Sequence, residues 1–224
     1  PSDEVTRAFL RAQEREADWR ALAADPDATY DETIEIDLSA LEPLVARPHM
    51  PDNVVTVTEA GPIRVDQVFI GSCTNSSYQD MMRVARILKG KRVHPEVSLV
   101  IGPGSRQVLT MLARNGALAD MMTAGARILE TACGPCIGMG QSPRTGAVSL
   151  RTNNRNFYAR SGTASAGIYL VSCETAAISA LTGVLTDPRT LDIDLTIPQP
   201  EHFEINDNLT IPPVEPGHEA EVEV

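Results

Sequence analysis

The run Gly71-Ser72-Cys73-Thr74-Asn75-Ser76 places a thiol where an apolar stretch ends and a helical pattern is about to begin. Amide groups at a helix start favour a thiolate and donate hydrogen bonds to sulfur, so Cys73 is a candidate metal ligand or reactive group. A small buried cysteine in a turn is the plain alternative. A second run, Ala132-Cys133-Gly134-Pro135-Cys136-Ile137-Gly138, sets two thiols two residues apart. Gly134 and Pro135 shape a tight turn that aims both sulfurs the same way. Taken alone, that spacing suits a redox disulfide pair, half of a zinc site, or cluster ligands.

Counting ligands separates these. A structural zinc site needs four ligands, and His49, His94, His202 and His218 all fall outside the motif loops. A redox pair needs no third cysteine. Three thiolates, Cys73, Cys133 and Cys136, suit a [4Fe-4S] cluster with one iron left open to act as a Lewis acid. Cys173, just after Ser172, reads as a partly buried thiol at a helix cap; as a fourth ligand it would close the cluster for electron transfer.

A third run, from Asn153 to Gly162, carries Arg155 and Arg160 five residues apart. Arginine pairs with carboxylates in bidentate fashion, so a di- or tricarboxylate would fit if the loop curls. Exposed arginines making surface contacts are the alternative. Gly102-Pro103-Gly104 and Gly138-Met139-Gly140 lack the third glycine of a dinucleotide fingerprint and read as backbone geometry.

The elements that must position these groups are a series of strand–helix units over 63–187. Strands are expected at 65–70, 98–101, 126–129, 147–150 and 168–171, with helices at 77–88, from Ser105 to Asn115, at 118–124 and from Ser172 to Leu181. Ser77 with Asp80 resembles a capping box, and Gly90 and Gly183 suit helix ends. Strands alternating with helices imply a mostly parallel sheet covered on both faces, a three-layer α/β/α fold. Ligands of such folds bind beyond the carboxyl ends of the strands, where Cys73 and the Cys133–Cys136 turn both lie. Residues 1–62 are expected to hold an N-terminal helix and a polar segment packed on the core, with short strands at 33–38 and 54–57. Residues 188–224, with five prolines and many acidic residues, read as a tail or linker leaving the domain, its last seven residues mobile.

The 224 residues, 42% hydrophobic and 22% charged, are enough for one large domain with a real core. A net charge of −11 disfavours nucleic-acid binding and sends the search for an anion site to local arginines. No apolar run is long enough for a membrane span. The charged, helix-like start does not resemble a secretory leader, and Pro1 in place of Met is expected of a chain processed or cut from a longer one. Clustered cysteines without other secretory signs point to a reduced, cytoplasmic setting.

Together, Gly71-Ser72-Cys73-Thr74-Asn75-Ser76, Cys133-Gly134-Pro135-Cys136-Ile137-Gly138 and Asn154-Arg155-Asn156-Phe157 with Arg160 resemble the aconitase family in type and in order. That family includes aconitate hydratase, homoaconitase and 3-isopropylmalate dehydratase. The resemblance implies the fold of the family's iron–sulfur domain, its third. It implies that Cys73, Cys133 and Cys136 ligate a [4Fe-4S] cluster, that Asn154 lies beside it, and that Arg155 and Arg160 bind substrate carboxylates. The implied reaction is that of a hydro-lyase, removal and re-addition of water on a hydroxy acid. The Cys-Gly-Pro-Cys-Ile-Gly sequence looks more like aconitate hydratase, so citrate–isocitrate interconversion in the tricarboxylic acid cycle is expected. Homoaconitase, a 3-isopropylmalate dehydratase large-subunit domain and a non-catalytic metal module are the alternatives. The family's acid and base residues belong to regions outside these motifs, so the partners expected are the missing domains and a small di- or tricarboxylate, and no catalytic residue is expected within 1–224. Ala159 stands where the family usually has Gly, and Cys173 where Pro is usual.

Overall fold

A computed structural model describes residues 1–208 and 210–213. Helix α1, Glu4–Ala12, is capped by Asp3, whose carboxylate accepts from the Val5 and Thr6 amides at 3.0 Å. Two short strands follow, β1 at Leu44–Ala46 and β2 at Val54–Thr56, then a single helical turn, α2, at Val57–Ala60. The strand–helix units run through β3 (Gln67–Gly71), α3 (Tyr78–Leu88), β4 (Ser98–Gly102), α4 (Arg106–Arg114), α5 (Ala117–Ala124) and β5 (Arg127–Ile128). They finish with β6 (Val148–Arg151), β7 (Gly167–Leu170) and α6 (Cys173–Thr182). One seven-stranded sheet results, in the order β2-β1-β7-β6-β3-β4-β5. The five strands from β7 to β5 are parallel, and β1 and β2 join antiparallel at one edge. The α/β class and the mostly parallel sheet are as the sequence predicts.

The helices start where side chains cap them. Ser77 and Asp80 form the expected capping box at α3, Ser105 accepts from the Val108 amide at 3.1 Å, and Ser172 accepts from Thr175 at 3.1 Å. One core contains Val68 and Ile70 of β3, Leu99 and Ile101 of β4 and Leu150 of β6. Met81, Val84 and Leu88 of α3, Leu112 of α4, Met121 of α5 and Ala176 and Ala177 of α6 complete it. Each fully buried large apolar side chain there contributes about 1.5–3 kcal/mol. The third layer over β3 and β6 is a loop that begins with a 3-10 turn at Gly134–Ile137: Gln67, Phe69, Ser149 and Arg151 point away from that core, and the 134–142 loop lies over them.

Two stretches differ from expectation. The alternating segment 33–38 forms no strand; Ile34 and Leu38 are 76% and 77% exposed, and no sheet edge reaches them. The Pro-rich stretch from 188 stays on the core as far as Glu204, whose carboxylate meets Arg114 at 2.7 Å. Arg86 donates at 2.9 Å to the Asp194 and Thr196 carbonyls, the Phe203 amide donates to Ala12 at 2.8 Å, and its ring meets Phe9 edge-on. The mobility expected of the last seven residues concerns positions outside the described ones.

Strands β3 and β4 approach most closely at their carboxyl ends. Gly71 has φ 137°, and a Cβ there would lie 2.0 Å from the Gly102 carbonyl oxygen. Gly71→Ala is therefore expected to destabilise the fold by at least about 2 kcal/mol, read as a lowered urea midpoint with an unchanged slope.

Candidate functional site

The carboxyl ends of β3, β5 and β6 release three loops, 71–76, 129–147 and 152–166, and hydrogen bonds join them into one unit. The Gly71 amide donates to Thr152 Oγ1 at 2.8 Å, and the Thr152 amide donates to the Phe69 carbonyl at 3.1 Å. Asn75 Nδ2 donates to the Thr152 carbonyl, and Ser76 Oγ to that of Ser72. Ser142 Oγ lies 3.1 Å from the Gly138 oxygen and 3.2 Å from that of Ser161, which ties the cysteine turn to the arginine loop. Gly138 has φ 92°, and a Cβ on it would strike Ser161 O at 2.2 Å. Only glycine fits that crossing.

All four cysteines are free thiols. Cys73 and Cys133 are exposed and share the wall of a cavity of about 140 Å³ with Ser72, Pro103, Gly104 and Thr131. Cys136 is half-buried under the turn and accepts a hydrogen bond from Asn153 Nδ2. Burial first, then the neighbouring Cys133 and Cys73 sulfurs, push the Cys136 thiol above its ordinary range, while a hydrogen bond with Ser72 works against them. Cys73 and Cys133 thus meet across one small cavity, with Cys136 in the same turn as Cys133. Among the described residues, no three His, Cys, Asp or Glu side chains are gathered as tightly as a single metal ion requires. A cluster of several irons spreads its sulfurs more widely than one ion does. Larger hollows, of about 560 and 720 Å³, lie away from the cysteines.

Cys173 is turned from this group. It is 4% exposed within the apolar core and donates to the Asn75 carbonyl at 3.2 Å; burial pushes its thiol up. Arg155 is exposed and Arg160 half-buried, and among the described residues neither has an ion-pair partner. Asn154 is exposed; the amide that reaches a sulfur is that of its neighbour Asn153, 7% exposed, whose Oδ1 is left without a partner. Ile137, Met139, Phe157 and Tyr158 stand exposed around the thiols and arginines.

Sequence reasoning missed Thr152, Asn153 and Arg151. The first two had no signal beyond lying in a polar loop. Arg151 follows the apolar run 147–150 and looks like the first loop residue, yet it is the last residue of β6 and 0% exposed.

A sequence model of the aconitase family (aconitate hydratase) matches residues 1–65 and 58–183. The chain belongs to the aconitase family. It is 47% identical over 196 residues to 3-isopropylmalate dehydratase large subunit 1 of Thermotoga maritima, covering 84% of this chain and 46% of that protein. It is 43% identical over 191 residues to the large subunit from Moorella thermoacetica, and 43% over 189 residues to large subunit 2 of Archaeoglobus fulgidus. These matches cover 84% of this chain and 45% of each relative. The chain thus spans about half the length of the curated relatives it matches. Their names favour the dehydratase alternative over the expected aconitate hydratase, and give the tricarboxylic acid cycle no support. Among the described residues, no helix is long and apolar enough to cross a membrane.

Two outcomes are expected. In the cluster-free chain a maleimide modifies Cys73 and Cys133 quickly, Cys136 slowly and Cys173 only on unfolding, as followed by mass spectrometry of peptides. Ala159 has φ 60°, a left-handed conformation that costs a side chain about 1–2 kcal/mol. Ala159→Gly is expected to raise stability by about 0.5–1 kcal/mol in urea denaturation, part of the relief being offset by the freedom glycine gains when unfolded.

Proposed function

We propose that this chain is the cluster-binding part of a hydro-lyase of the 3-isopropylmalate dehydratase type, with Cys73, Cys133 and Cys136 as ligands of a [4Fe-4S] cluster. The observation that supports the reading is that Cys73 and Cys133, free thiols borne on two loops at the carboxyl ends of a parallel sheet, line one cavity, with Cys136 in the same turn as Cys133. The donor set fits such a group. Soft thiolates suit iron–sulfur clusters, the Asn153 amide donates to one of the sulfurs, and the turn above Gly138 is held by backbone contacts rather than by the sulfurs themselves. Bound by three thiolates, the cluster supplies an iron with a free position and hence Lewis acidity toward a hydroxy acid.

This chain's own residues then bind and orient. The substrate class is a dicarboxylate with a branched apolar substituent. Arg155 and Arg160, without carboxylate partners among the described residues, bind its two charged ends. The Asn153 amide reaches the Cys136 sulfur, its exposed neighbour Asn154 is assigned to the surroundings of the bound cluster, and the apolar side chains of Ile137, Met139 and Phe157 suit the branched substituent. In the reaction, hydroxide leaves one carbon and a proton its neighbour; re-addition of the same water with the opposite orientation gives the isomeric hydroxy acid. The proton-accepting group and the closure of the site belong to the remaining half of the protein and to a partner subunit. Citrate, with a third carboxylate in place of the apolar branch, fits this lining less well.

The test is steady-state kinetics on the full-length enzyme, following the unsaturated acid by ultraviolet absorbance. 3-Isopropylmalate is expected to exceed citrate at least about tenfold in kcat/KM; the reverse order would return the assignment to aconitate hydratase. Arg155→Ala and Arg160→Ala are each expected to lower kcat/KM by roughly 10–100-fold, the value of a lost charge-assisted hydrogen bond. Unchanged kinetics in both would remove the arginines from the site.

A further inference from the structure

Arg151 is the largest fully buried side chain among the described residues, and it lies directly beneath the cysteine turn. Its guanidinium donates from Nη1 to the Pro135 carbonyl at 2.8 Å, and from Nη2 to the Gln141 carbonyl at 2.7 Å and to Gln67 Oε1 at 2.9 Å. Nε donates to Ser149 Oγ at 3.1 Å, and Phe69 packs with its ring centre 5.7 Å away. Every acceptor is neutral. No carboxylate pairs with Arg151 among the described residues, although eight other arginines on this acidic chain have one.

A buried cation without a counter-ion is costly, and an apolar side chain of similar volume would usually serve the fold as well or better. Its two loop acceptors, Pro135 and Gln141, bracket Cys136 in sequence. The planar fork spans both carbonyls at once, which an ammonium group cannot do. Burial lowers its pKa to about 10, still well above neutral pH, so the guanidinium remains protonated there.

We propose that Arg151 is a positioning residue with two roles, clamping the Cys133–Cys136 turn through its carbonyls and supplying the fixed positive counter-charge for the anionic thiolate-bound group above it. The second role rests on the cluster reading; the first does not. A cation held in a low-dielectric interior stabilises the more negative state of a nearby centre, so removing it makes reduction of the cluster harder.

The test uses Arg151→Lys and Arg151→Met in the full-length protein, with two readouts. Amide exchange at residues 136–141 in the cluster-free protein reads the clamp. Faster exchange is expected in both variants, at least tenfold; unchanged exchange in both would overturn the clamp. An electron-spin-resonance redox titration of the loaded protein reads the counter-charge. Arg151→Met is expected to shift reduction at least tenfold toward the oxidised state, about 59 mV more negative for one electron, with Arg151→Lys close to wild type. Equal potentials in all three would overturn the counter-charge role and leave a purely structural arginine. Should Arg151→Met fail to fold, Arg151→Gln takes its place; and should no uncharged variant fold, the two-role proposal is overturned in favour of an essential structural arginine. If wild type binds no iron at all, the cluster reading fails, while the exchange measurement still judges the clamp.

Discussion

Sulfurs carried on separate loops are placed for a common ligand in advance only if the protein itself fixes one loop against the other. Here that work falls to the junction of β3, β4 and β6. Gly71 sits so close to the Gly102 carbonyl that no side chain fits, and Thr152 bridges the end of β3 to the arginine loop through its hydroxyl and backbone. The Asn75 amide and the Ser142 hydroxyl extend the same fastening to the two cysteine loops. The thiols are therefore approximately placed before any ligand binds, which lowers the ordering cost that binding would otherwise carry.

This arrangement costs apolar packing. One face of the sheet is an ordinary core of Val, Ile, Leu and Met under α3 to α6. Over β3 and β6 the opposite face carries Gln67, Ser149 and Arg151, and its cover is a loop whose carbonyls point inward to meet them. A loop with buried backbone needs such partners, because an unpaired carbonyl away from water costs as much as a lost hydrogen bond. The same polar layer brings a positive charge under a cluster of groups that ionise negatively. Packing on one face and electrostatics on the other thus divide the labour within a single sheet.

Much of this was legible in the sequence because the signals were local. Ser77 with Asp80, Ser105 and Ser172 mark helix starts wherever they occur, and β3 and β4 are apolar runs bounded by glycine. The cysteine and arginine motifs were visible from residue type and spacing, and the preserved order of the motifs led to the family. What failed depended on tertiary context. The 33–38 segment alternates like a strand but finds no neighbour, whereas β1, three residues long, is a strand only because β7 and β2 flank it. Arg151 looked like a loop residue because its burial depends on a loop that begins fifteen or more residues earlier. The turn between the cysteines shapes the sulfur positions and says little about the substrate, so it was a weak guide to citrate; the relatives' names favour the 3-isopropylmalate alternative.

In the proposed function the sulfurs of Cys73, Cys133 and Cys136, and not that of Cys173, hold an iron–sulfur group. Iron and acid-labile sulfide per chain, determined after anaerobic reconstitution of wild type and of four single Cys→Ser variants, test it most directly. About four iron and four sulfide are expected in wild type and in Cys173→Ser, with large losses in Cys73→Ser, Cys133→Ser and Cys136→Ser. Zinc without sulfide in wild type, or loss of iron on replacing Cys173, would contradict the account.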